Sequence, residues 1–151
     1  MTEPYNSDLL QNEILQKVSN AKTRVEKVRL LQEYRNDALI SLIIWNYDKS
    51  LITLLPEGEV PYRENDAPVG TEHTRLIQEH RKFYNFLKGG NDGLPQHARE
   101  KIFIQMLEGL SKEESNLVCL VKDKKLQSKY RISFDTIKEA YPDIVWGGRE
   151  I

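Results

Sequence analysis

Apolar residues recur at helical intervals along most of the chain, and short polar clusters divide that recurrence into successive helices. Ser7 can cap a first helix with Leu10, Ile14 and Val18 on one face, ending near Asn20 and leaving residues 1–6 as a flexible arm. Thr23 and Glu26 stand at capping-box spacing ahead of Val25, Val28, Leu31 and Tyr34, which predicts a second helix. Asn36 or Asp37 begins a third, ALISLIIWNY, apolar most of the way round and therefore expected at the buried centre. Its Ile content also suits a strand, but the Asn-Asp start and the helical neighbours favour helix. Leu51–Leu55 is apolar and short, either one more helical turn or an extended piece against the core.

Residues 56–70, PEGEVPYRENDAPVG, combine three prolines, two glycines and an acidic bias, and read as one long loop. Thr71 opens a fourth helix carrying Leu76, Ile77, Phe83, Tyr84 and Leu87, closed by Gly89 and Gly90. Pro95 suits the first turn of a fifth, with Ala98, Ile102, Phe103, Met106 and Leu110 as its core stripe. Ser111 and Glu114 form another capping-box pattern before Leu117–Val121, and Ser133 can cap a last helix with Phe134, Ile137 and Tyr141, stopped by Pro142. The pattern predicts an all-α, single-domain bundle of six to seven helices over residues 1–151, with one long Pro/Gly-containing loop and a flexible tail at 147–151.

Charge adds a local asymmetry. The 151 residues carry a formal net charge of −1, which excludes a globally basic, nucleic-acid-coating protein but leaves room for a basic patch. Between the last two helices, Lys122, Lys124, Lys125, Lys129 and Arg131 face a lone Asp123. A second cationic set, Lys22, Arg24, Lys27, Arg29 and Arg35, outnumbers Glu26 and Glu33 around the second helix. The competing reading of both sets is a solvated surface, since exposed helix faces are often rich in Lys and Arg.

Chemistry is hard to find. His73 and His80 lie seven residues apart, two helical turns, too far to share one metal without a ligand between them, and Thr74 and Ile77 supply none. GGNDG lacks the Lys-Ser or Lys-Thr and the preceding strand of a phosphate loop. Cys119, the single cysteine, falls in an apolar helical run with no basic neighbour on its face to favour a thiolate. These residues predict a non-enzymatic protein with no metal, cofactor or small-molecule substrate. No apolar stretch approaches the roughly twenty residues of a membrane span, and MTEPYNSD has no secretion-signal character, so a cytoplasmic location is expected.

The run LVCLVKDKKL followed by IKEAYPDIVW, together with helices near Val25–Tyr34 and Ala38–Tyr47, resembles in layout the helical N-terminal DNA-binding domain of phage ATP-dependent DNA ligases. In that domain a helix leads through a short Arg- and Gly-containing segment into a capped helix ending in an aromatic-Pro pair, which Tyr141-Pro142 matches. The chain as a whole is also similar to small uncharacterised proteins of marine tailed phages. Two departures stand out. The adenylation signature, a lysine followed by any residue and then Asp-Gly, is absent, and Gln127, Ser128, Lys129 and Tyr130 fill the region where the ligase segment carries its glycine. Long side chains would have to reach the phosphates instead.

The expectation is a non-catalytic accessory protein that binds duplex DNA non-specifically. Lys122, Lys124, Lys125, Lys129 and Arg131 contact phosphates, Ser128 and Tyr130 add hydrogen bonds or sugar contacts, and Lys22 to Arg35 form a second basic face. The alternatives are a factor docking on phage or host replication or transcription proteins, with Trp146 beside two glycines as an aromatic anchor, and a virion component. Convergence of the two cationic sets on one face favours nucleic acid; opposite faces favour the solvated reading.

Overall fold

The computed structural model describes residues 9–63 and 74–148. Seven α-helices occupy them: α1 (Gln11–Asn20), α2 (Arg24–Glu33), α3 (Asp37–Tyr47), α4 (Leu76–Glu79), α5 (Gln96–Gly109), α6 (Lys112–Lys122) and α7 (Phe134–Ala140). Two 3-10 turns, His80–Phe86 and Leu126–Ser128, complete an all-α bundle that has, among the described residues, one isolated antiparallel bridge and no strand. No helix among them is long and apolar enough to cross a membrane.

Helix α3 is the centre. Asn36 Oδ1 accepts from Leu39 N at 2.8 Å and starts it, while Leu39, Leu42, Ile43 and Trp45 are buried. Trp45 meets Phe83 edge-on, with ring centroids 5.0 Å apart, and stacks near Phe86, which in turn meets Phe103 of α5 at 5.1 Å. The Leu51–Leu55 segment is extended: Leu54 N donates to Phe86 O and Lys88 N to Ile52 O, at 2.8 and 2.9 Å.

The fourth element differs from the single helix expected from Thr71, itself outside the described residues. After one α-turn the backbone tightens to 3-10 geometry through Phe86. Three residues per turn align His80, Phe83 and Phe86. Phe83 and Phe86 are buried, while Ile77 and Tyr84, apolar residues of the same expected helix, are 39% and 53% exposed. A Cβ on Gly90 would stand 2.1 Å from Tyr84 O, so only glycine fits where the chain turns back.

Helix α2 begins as expected, with Thr23 Oγ1 accepting from Glu26 N at 3.1 Å, yet Val25 is 76% exposed and only Leu31 is fully buried. Apolar residues spaced strictly by three drift about 60° per step around a helix of 3.6 residues per turn. Val25 therefore lies well round from Leu31, off the face that packs on α1 and α7. Ser7 lies outside the described residues; the start of α1 is held instead by Glu13, whose carboxylate accepts from Leu10 N at 2.8 Å.

Glu114 changes the reading of the Ser111 box. Ser111 Oγ does accept from Glu114 N, at 3.2 Å. The Glu114 carboxylate, fully buried, reaches two other helices: Oε2 accepts from Gln11 N at 2.9 Å and Oε1 from Leu76 N at 3.0 Å. One side chain thus caps the first turns of both α1 and α4, at the positive ends of their dipoles.

Candidate nucleic-acid interface

The basic segment begins where α6 ends. Lys125 N donates to Leu120 O and Lys124 N to Val121 O, at 2.8 and 2.9 Å, with Lys124 at φ +57°. This is the Schellman arrangement, with lysine at the left-handed position that glycine usually takes. The turn aims Lys124 inward: Nζ donates to Trp45 O and Asp48 O, at 2.6 and 2.9 Å, closing the C-terminal end of α3. Burial lowers its pKa.

Lys122 is also structural. Its side chain is fully buried, with Nζ donating to Pro56 O (2.7 Å) and Gly58 O (3.2 Å) and pairing with Asp123 at 2.6 Å. Tyr130 is 2% exposed, and burial raises its hydroxyl pKa. Lys122, Lys124 and Tyr130 therefore leave the expected contact set, because core and backbone acceptors hold them. Lys125 is exposed and lies 3.8 Å from Glu57; Ser128, exposed, donates to Lys125 O at 2.7 Å. Lys129 and Arg131 are exposed, and Lys129 Nζ sits 5.6 Å from the Tyr130 ring centroid.

The second cationic face divides. Arg24 pairs with Glu139 at 2.9 Å and donates to Asp135 O at 3.2 Å. Arg29 pairs with Glu33 at 2.8 Å. Arg35 makes a two-pronged bond to Asp143, at 2.9 and 2.6 Å, and lies over the Tyr141 ring. Hydrogen bonds from Arg35 hold the Asp143 carboxyl down at about 2. Arg24 and Arg35 dock α2 and the turn after it on α7 and its end, while Arg29 pairs within α2; the charge of all three is locally answered.

Lys22 and Lys27 behave differently. Lys27 Nζ donates to Arg131 O and, at 3.4 Å, to Ser19 O, while Arg131 N donates to Ser19 Oγ at 2.9 Å. These bonds tie the α1–α2 corner to the link before α7. Lys22, Lys27, Lys129 and Arg131 consequently line one open depression with Ser19 and Asn20, and no carboxylate is among its lining residues. Lys22, Lys129 and Arg131 have no ion-pair partner among the described residues. Next to it, sharing Lys27 and Arg131, lies a second depression that includes Arg24, Gln127 and Tyr130. Ser19, Asn20 and Gln127 carry no charge signal, and the first two stand more than a hundred residues from Lys129, so nothing in the sequence pattern marks them as neighbours of the site.

The remaining expected features lie elsewhere. Trp146, the expected anchor for a partner, packs edge-on to Phe134 at 4.9 Å, and Gly147 N donates to Asp48 Oδ2 at 3.0 Å, which folds the start of the tail onto the chain's own α3–α7 surface. The indole is thereby half-buried against its own chain. His73 is outside the described residues. His80 Nδ1 lies 3.3 Å from Ser41 Oγ, and burial lowers its pKa. Burial raises the Cys119 thiol to about 11. Among the described residues no group of three His, Cys, Asp or Glu side chains is placed to hold a metal.

No curated protein and no solved structure matches the chain. Residues 14–128, well over half of the sequence, match a family model, in a span that includes Lys22, Lys27 and Gln127 and stops just before Lys129 and Arg131. The chain belongs to DUF6433, a family of unknown function.

Proposed function

We propose that this protein binds DNA non-specifically through backbone phosphates, at the depression lined by Lys22, Lys27, Lys129 and Arg131. One observation carries the reading: two cationic segments far apart in sequence meet on one surface whose lining holds no carboxylate. A solvated helix face needs no such convergence. Lys27 neutralises the carbonyl end of α1 through Ser19, which leaves Lys22, Lys129 and Arg131 to face an anion. Contacts of this kind position a strand without reading its sequence, and affinity falls steeply with salt. The role is that of a non-catalytic accessory that holds DNA for other components, phage replication being the setting that the ligase-like layout implies.

Titration of labelled duplex DNA at low salt tests the reading. Binding is expected, and the double variant Lys129→Glu with Arg131→Glu weakens it at least about tenfold. Equal binding by the variant, with its helical circular dichroism unchanged, overturns the proposal.

A further inference from the structure

The depression beside the cationic one differs in character. Its exposed lining is mostly apolar, and its volume of about 490 Å³ falls within the range of pockets that take small molecules. Tyr130, Ile132 and Thr136 are nearly buried and contribute little area each, while Arg24, Lys27 and Arg131 reach it with aliphatic stems. Gln127 stands at the same place: Asn46 Nδ2 donates to its Oε1 at 3.0 Å, which fixes the amide and leaves its own NH₂ as donors. Lys27 and Arg131 form the shared wall, and the Lys129 ammonium sits near the Tyr130 ring on the same side.

A phosphate cradle alone has no use for an apolar neighbour with an amide donor. From their juxtaposition we infer that the surface accepts unpaired nucleotides: a backbone phosphate in the cationic depression, with the adjoining sugar and base over the apolar depression, where the Gln127 amide can donate to a base carbonyl. In a continuous duplex that base is stacked and paired, so its face is unavailable. The inference rests on the phosphate-binding reading above and adds a preference for single strands, gaps or overhangs.

Electrostatics alone predicts the reverse order. A duplex carries the higher linear charge density and releases more counterions per contact, so a purely cationic surface binds it at least as well as a single strand. Base contacts are what turn the order round.

The test compares, by fluorescence anisotropy with the full chain at one salt concentration, a labelled thymidine-only strand, the same backbone carrying abasic units, and a duplex of equal length. The intact strand is expected to bind at least about fivefold more tightly than the duplex, and the abasic strand to lose that advantage. Duplex binding equal to or tighter than the strand, or an abasic strand as tight as the intact one, overturns the inference while leaving phosphate binding standing. Absence of binding to all three, or binding indifferent to the Lys129→Glu and Arg131→Glu changes, overturns both.

Discussion

A buried carboxylate, Glu114, and a half-buried ammonium, Lys124, determine local order at the residue scale, and neither lines the candidate interface. Glu114 joins α6 to the starts of α1 and α4 through two backbone donors. Removing the carboxylate leaves both N–H groups buried and unanswered, at about 1–3 kcal/mol each. Glu114→Ala should therefore lower the unfolding free energy by roughly 3 kcal/mol in urea titrations, with little change in m-value. Lys124 sets two effects against each other. Its left-handed backbone costs roughly 1–2 kcal/mol, which glycine would relieve. Its ammonium makes two bonds to the carbonyls of Trp45 and Asp48, each charge-assisted and worth about 1.5–3 kcal/mol. The second effect is larger, so Lys124→Gly should destabilise by about 1–5 kcal/mol at a position where glycine normally stabilises. A rise in unfolding midpoint would show that the side chain contributes less than the strain it imposes.

Helix boundaries were legible from sequence wherever a polar side chain caps within its own turn: Thr23, Asn36, Ser111 and Ser133 each accept from the backbone three residues on, as their spacing implies. The fate of the basic residues was not legible, because the acceptors that bury Lys122 and Lys124 lie 64 to 79 residues away. Arg24 and Arg35 raise the same difficulty, since their carboxylate partners Glu139 and Asp143 lie beyond the reach of any helical spacing rule, whereas Arg29 and Glu33 stand at the ordinary i,i+4 spacing. That docking has a pH signature. Asp143 titrates near 2 in the folded protein against an ordinary 3.8, so the folded state binds its proton less tightly than the unfolded chain does. The resulting stabilisation is present above about pH 4 and disappears as pH falls toward 2. Both partners are well exposed, so salt should screen the effect. In Arg35→Ala, carboxyl NMR titration should find Asp143 raised toward its ordinary value, with the remaining depression due to its backbone hydrogen bond, and stability should lose that part of its acid dependence. An unmoved Asp143 would assign the shift to another cause.

Across the whole molecule, a formal net charge of −1 conceals a division of labour among cations. Arg24 and Arg35 hold elements together, Arg29 pairs within its own helix, Lys122 and Lys124 close loops and helix ends, and Lys22, Lys129 and Arg131 remain on a surface whose lining is free of acid. A count of Lys and Arg in sequence treats these groups alike, whereas counterion release registers only those that meet phosphate. If three cations do so, the logarithm of the association constant should fall against the logarithm of salt concentration with a slope of about −2 to −3. Lys129→Gln should then reduce the slope by roughly one. Arg29→Gln removes an equal charge from α2, but that charge is held by Glu33 at 2.8 Å, so the slope should stay as it was. If both substitutions lower the slope alike, binding follows overall charge, and the depression between α1, α2 and the link to α7 is not where the strand lies.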